Sequence, residues 1–379
     1  MPNLFQRRSL FQLAGAAALL RARIAGAQQQ RPASRRRLGS GSNPEPFPAL
    51  DRRSTVALIG GPDRRKNVYQ ALLAIDQDLR PKLRAKKYVV IKPNNVNMVN
   101  QLASTHADAL RGILDYLDGR VKGPVVIAEA AAGDTRTGFE NFHYTTLPGE
   151  YKRLGVKLID LNQEAKFERI ALLDTDLHIT PVRLAARLFD PEAFVISSAM
   201  LKCHNTVIAS LSIKNLVLGA PLHYAPGETP HWNEKRKYHV GLRQMHYNML
   251  LTAQRLAPTW GASVIDGFEG MEGNGPNSGT PVPSHLAIAS LDFVAADRIG
   301  VEAMGINPDW LGYAKYCCDL GLGQYDRAHI DIVGAKLEDL TKKYRLHPDI
   351  ELELKWQGPM TEVPFNLGWT HPLDPSRSA

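Results

Sequence analysis

Tyr88-Val89-Val90-Ile91-Lys92-Pro93-Asn94-Asn95 is a short apolar, partly β-branched run that ends abruptly in a lysine, a proline and two asparagines. The next periodic stretch, His106–Leu117, carries apolar residues at helical spacing. After it, Val125-Val126-Ile127-Ala128 repeats the strand-like run and stops at Glu129. Strand, helix and strand in this order are the unit of a parallel sheet covered by helices.

The same alternation extends outward. Thr55–Ile59, Val156–Leu161, Ala193–Ser197, Ser263–Ile265, Leu286–Ala289 and His329–Val333 read as strands, and Val68–Leu79, Val207–Leu218, Val240–Leu256 and Asp292–Met304 as helices. The expected fold class is α/β: a mainly parallel sheet flanked by helices, in one body or two lobes, with a crevice at the strand carboxyl ends. Pro221–Tyr238 is a long polar connection, and loops of that length commonly bind or cover a ligand.

The ends read differently from this body. Gln6-Arg7-Arg8-Ser9-Leu10-Phe11 precedes the apolar run Leu13–Leu20 and the small-residue triplet Ala25-Gly26-Ala27. That order resembles a twin-arginine export signal and implies the twin-arginine translocase as partner and a periplasmic or otherwise exported location. The apolar run falls short of the roughly 20 residues of a membrane helix, so no transmembrane anchor is expected beyond the signal. The expected layout is a signal over 1–27, a polar tether over 28–50, an α/β domain over 51–335 and a surface-wrapping extension over 336–379.

Net charge is +8, yet residues 1–49 hold eight arginines and one acid, leaving 38 basic against 37 acidic side chains on the rest. A neutral body argues against nucleic acid as a partner. Three cysteines, Cys203, Cys317 and Cys318, are too few and too unevenly spaced for a four-cysteine cluster, so no iron–sulfur cluster of its own is expected. Buried free thiols are the expectation.

Chemistry gathers where strands end. Lys92 with Asn94, Glu129, Lys202 with His204, and Asp266 each follow an apolar run, which lines them along one sheet edge. Lys214 and Asn215 sit inside the apolar stretch Ala209–Leu218, where a lysine costs desolvation unless a carboxylate or an anionic ligand answers it. Lys92, Lys202 and Lys214 together could clamp a small anionic ligand, with Asn94, Asn215 and Asn274 as further contacts and Lys214 itself as a base. Ion pairing with Glu129, Asp266 or Glu272 is the bland alternative.

His106 and His204 are acid–base candidates, His106 standing equally as a helix cap. The stretch Asp266-Gly267-Phe268-Glu269-Gly270-Met271-Glu272-Gly273-Asn274-Gly275-Pro276 reads as a flexible acidic loop. With Glu129, its Asp266 and Glu272 could hold a divalent metal through oxygens; a substrate contact or a plain turn are the other readings. His223, His231, His239 and His246 show no metal-ligand spacing and are expected to play local roles. Gly60-Gly61-Pro62 before Arg64, Arg65 and Lys66 is read as a basic turn.

Taken together, Val90–Asn94, Thr105-His106, Met200–His204, Leu211–Asn215, Asp266-Gly267, Met271–Pro276 and Leu291–Arg298 resemble the family called domain of unknown function 362, in consistent order over roughly residues 55–335. Some members of that family resemble iron–sulfur proteins through an added ferredoxin-like cysteine module, which this chain lacks. The function expected is that of an exported enzyme acting on a small anionic substrate, its cofactor unknown. The alternative is a non-catalytic accessory protein that holds a metal or cofactor for an exported redox enzyme.

Overall fold

The structure is a computed structural model that describes residues 50–225 and 227–358. The expected signal over 1–27, most of the tether and the last 21 residues, 359–379, lie outside the described residues.

Strands β1 (Ser54–Gly60), β2 (Tyr88–Lys92), β3 (Val125–Glu129), β4 (Lys157–Asp160), β7 (Ala193–His204), β9 (Trp260–Glu272), β11 (Leu286–Ser290) and β12 (Ile330–Gly334) form one sheet in the order β12-β1-β11-β9-β7-β2-β3-β4. Short β8 (Ile208–Ser210) and β10 (Thr280–Val282) pair antiparallel with β7 and β9. Only β11 runs against its neighbours along the main path; the other seven strands point the same way, so their carboxyl ends share one edge. The expected α/β class with a mostly parallel sheet is what the chain adopts.

Alternation of side chains along each strand explains the two covered faces. Val89 and Ile91 of β2 point to a cluster with Val68, Leu72, Leu110, Ile113 and Leu117 from α1 (Arg64–Ala74) and α3 (Ala107–Leu117). Val90 between them points to the opposite cluster, built by α5 (Ser212–Gly219), α6 (Leu242–Leu256) and α7 (Phe293–Ala303). Leu216, Met245 and Ile299 are fully buried there, and each apolar side chain of that size contributes roughly 1.5–3 kcal/mol. The helices α2 (Asp76–Arg84), α4 (Thr135–Asn141) and α8 (Gly312–Asp319) complete the longer helices.

Several expectations change in detail. The helix over Val68–Leu79 is two helices, α1 and α2, broken at Ile75, whose φ of −111° and ψ of 14° leave the helical region. The helix over Val207–Leu218 begins only at Ser212, because residues 208–210 are drawn into β8. Lys202 and His204 lie within β7 rather than beyond its end. The acidic stretch from Asp266 to Glu272 is not a loop: it continues β9, and the chain turns at Gly273, at φ +71°. Gly270 serves close packing there, since a Cβ would stand 1.9 Å from the Tyr344 hydroxyl.

The hairpin of β5 (Phe167–Leu173) and β6 (Ile179–Ala185) was not foreseen. The described part of the expected surface extension contributes Tyr344, Glu353 and Trp356 to the interior. No helix among the described residues is long and apolar enough to cross a membrane.

Candidate functional site

The parallel strands bring Lys92, at the end of β2, against Glu129, at the end of β3, with both side chains 1% exposed. Lys92 Nζ donates to Glu129 Oε2 at 2.9 Å and lies 2.7 Å from Oε1. It also donates to the Pro93 carbonyl at 2.7 Å and to Asn215 Oδ1 at 3.2 Å. Burial pulls both groups toward neutrality, Lys92 downward and Glu129 upward, and each charge opposes that pull on the other.

Helix α5 passes beside this pair at Gly219, where a Cβ would stand 1.9 Å from Lys92 Cε and 2.1 Å from its Nζ. Glycine is required by that close approach. Asn215, from the same helix, accepts from Lys92 Nζ and Asn94 Nδ2 and donates to the Lys92 carbonyl and Ser197 Oγ. A buried amide with two donors and two acceptors around it fixes the helix against β2 and β7.

An open pocket forms around these groups, about 440 Å³ counting its solvent-facing mouth. Lys92, Asn94, Glu129, Ser210, Lys214, Asn215, Gly219 and Lys235 line it, together with Asn95, Val96, Met200 and Leu218. Glu129 is the single carboxylate in that lining. Lys235, from the polar segment after residue 221, donates to the Leu218 carbonyl at 2.9 Å. Lys214 is 8% exposed and makes no hydrogen bond or ion pair with any described residue. Burial, then the Lys92 charge, brings Lys214 down to about 7. Burial first also brings Lys235 to about 7. The Ser210 hydroxyl is buried without a hydrogen-bond partner among the described residues.

Lys202 stands just behind the lining and donates to Asn94 Oδ1 at 2.8 Å and the Ala103 carbonyl at 2.7 Å. Its ammonium is pushed well down by burial and then by Lys214 and Lys92.

The remaining expected site residues lie outside the pocket lining. His106 caps α3, its Nδ1 accepting from Asp108 N at 3.1 Å, and burial takes it to about 4. His204 Nδ1 accepts from Thr206 N at 3.0 Å, so in the neutral ring Nε2 carries the proton. Asn274 is exposed in the turn after β9 and accepts at its carbonyl from Ser278 N. Asp266 lies 3.2 Å from Arg64 and accepts from Phe268 N, while Glu272 accepts from Arg345 N at 2.8 Å. Glu129, Asp266 and Glu272 are thus divided among three different cations, and among the described residues no three His, Cys, Asp or Glu side chains group as a metal would need.

The four histidines at 223, 231, 239 and 246 have local roles. His223 Nδ1 donates to the Tyr224 carbonyl while its Nε2 accepts from Asn162 Nδ2, His231 stacks on Tyr224, His239 donates to the Lys235 carbonyl, and His246 accepts from Tyr313 N. Cys203, Cys317 and Cys318 are free thiols. Lys235, Ser210 and Gly219 were not singled out from sequence; the length of the polar segment after residue 221 was the one signal pointing toward Lys235.

A family model described as a domain of unknown function (DUF362) matches residues 89–302. No curated protein matches the chain. Among solved structures, the chain is similar to the crystal structure of a Thermotoga maritima protein from the Northeast Structural Genomics Consortium, at 10% identity and a TM-score of 0.36, with 69% of this chain covered. The match spans 60% of that protein's length.

Proposed function

We propose that this chain, which belongs to the domain of unknown function 362 family, binds a small anionic ligand in the lysine-walled pocket and acts on it as an enzyme, with Lys214 as the acid–base group. The observation that carries this reading is Lys214: an ammonium-bearing side chain buried in a helix, in a pocket to which the described residues bring one carboxylate, and without a partner among those residues. Desolvating an ammonium without a protein partner carries a cost, which an anionic ligand offsets. Held near 7, Lys214 can take or return a proton at neutral pH.

Export through the twin-arginine translocase belongs to the same proposal. It rests on Arg7-Arg8 ahead of Leu13–Leu20 and Ala25-Gly26-Ala27, and replacing both arginines with lysine should hold the protein in the cytoplasm. Recovery of the doubly substituted protein outside the cytoplasm would remove this part.

Binding is tested by thermal shift and calorimetry with a panel of small carboxylates and phosphates against neutral analogues. Anions should stabilise the wild type, and Lys214→Met should lose that response while staying folded. Catalysis is tested by NMR in heavy water, where deuterium should enter a bound anion at a carbon next to its charged group only when Lys214 is present. An anion response equal in wild type and Lys214→Met would overturn the assignment.

A further inference from the structure

The charge carried by the ligand can be read from the lining of the pocket. Lys92 and Glu129 form one ion pair and cancel. Two further ammonium groups face the same space: among the described residues, Lys214 has no partner and Lys235 has one carbonyl. A carbonyl dipole satisfies a hydrogen bond without neutralising a charge. Lys202, directly behind, is likewise met among the described residues by neutral oxygens, those of Asn94, Ala103 and Pro276. The lining therefore has two positive charges in excess of its carboxylates when its lysines are protonated.

Ser210 adds an independent observation. Its register partner across the β7–β8 hairpin is Lys202, and it lies one residue before the approach to α5 that carries Lys214. Its hydroxyl is buried with no partner among the described residues, and buried polar groups in native proteins are rarely left so. A ligand bearing several acceptor oxygens would satisfy both Ser210 and the lysines.

We propose that the ligand of this pocket is a small oxyanion carrying two negative charges, a phosphoryl or dicarboxylate group held between Lys214 and Lys235 with Ser210 as a hydroxyl donor; this rests on the anion-binding reading above. With both lysines lowered toward 7 in the empty pocket, a dianion raises their proton affinity, so binding draws protons from solution.

The test is calorimetry on the folded protein at about pH 8, where phosphate and malonate are mainly dianions, with dimethyl phosphate and acetate as single-charge counterparts. Dianions should bind roughly tenfold or more tightly than their counterparts, and that preference should collapse in Lys235→Met. Ser210→Ala should weaken dianion binding by about three- to tenfold. Repeating the titration in two buffers of different ionisation enthalpy should show net proton uptake. Preference for phosphate over malonate, or the reverse, identifies which oxyanion group the pocket takes. Equal affinity for single- and double-charged anions would overturn the dianion assignment while leaving anion binding intact. No binding by any of the four would take down both.

Discussion

The first turn of helix α5 meets two buried groups of opposite charge type and treats them in opposite ways. At its start, Asp297 is fully buried, and its carboxylate oxygens accept from Ser212 N at 2.7 Å and Ile213 N at 3.0 Å. Every polar bond it makes belongs to the fold, because the first backbone N–H groups of a helix need an acceptor. In the same turn, Lys214 is nearly as buried and bonds none of the described residues. Side chains that a fold needs are surrounded by its own donors and acceptors; one that faces an open pocket without them is held for something that arrives from outside.

That contrast can be broken most severely at Asp297. Asp297→Ala should cost about 3 kcal/mol or more, read as a lower urea midpoint, because two buried N–H groups lose their acceptor. Gly219→Ala comes next. The new methyl collides with Lys92 and separates it from Glu129, so stability should fall by about 2 kcal/mol and anion affinity by roughly tenfold. An unchanged midpoint would mean that Lys92 moves aside freely.

Lys214→Met should act in the other direction, stabilising the ligand-free protein by about 1 kcal/mol near neutral pH, since a buried unpaired charge is removed. Its pH dependence sharpens the point. Folded Lys214 titrates near 7 rather than at 10.5, so between these values the unfolded chain holds a proton that the folded chain has lost. Unfolding then takes up a proton, and stability rises with pH across that window. Urea midpoints should climb from pH 7 toward pH 10.5 in the wild type, with a shallower climb in Lys214→Met. Equal slopes would remove Lys214 as the titrating group.

The smallest effect belongs to Glu353, whose Oε2 accepts from Ile208 N at 2.7 Å. Burial raises it to about 8 from 4.5. The folded chain therefore keeps a proton that the unfolded chain releases, and this contribution to stability is present below 4.5 and lost as pH rises through about 8. Glu353→Gln preserves the acceptor and should change stability by about 0.5 kcal/mol or less at acidic pH. It should also reduce the decline above, as measured by thermal unfolding.

Much of the site was legible because its signals are local. A strand ending in Lys92-Pro93-Asn94 or Glu129 and a lysine within Ala209–Leu218 are anomalies of burial that any apolar pattern exposes. Ion pairing of the lysines with Glu129, Asp266 or Glu272 was one reading, but which cation each acid takes was not legible. Glu129 chose Lys92, whereas Asp266 chose Arg64 and Glu272 the Arg345 segment, and these choices join residues far apart in the chain. In the acidic stretch, Gly273 bends the chain as its type suggests, whereas Gly270 is small because Tyr344 packs against it.

By itself, the amino-acid order determined the alternation of strands and helices, the shared edge at which the parallel strands end, and the presence of lysines where lysines are costly. Those follow from periodicity and desolvation, which act within a few residues. Only the tertiary structure decided which lysine is paired and which is left open, because a charge is neutralised by whatever the fold brings within hydrogen-bond reach. The approach of Glu129 to Lys92, and of Lys235 to the space beside Lys214, is set by sheet order and by a loop returning over it.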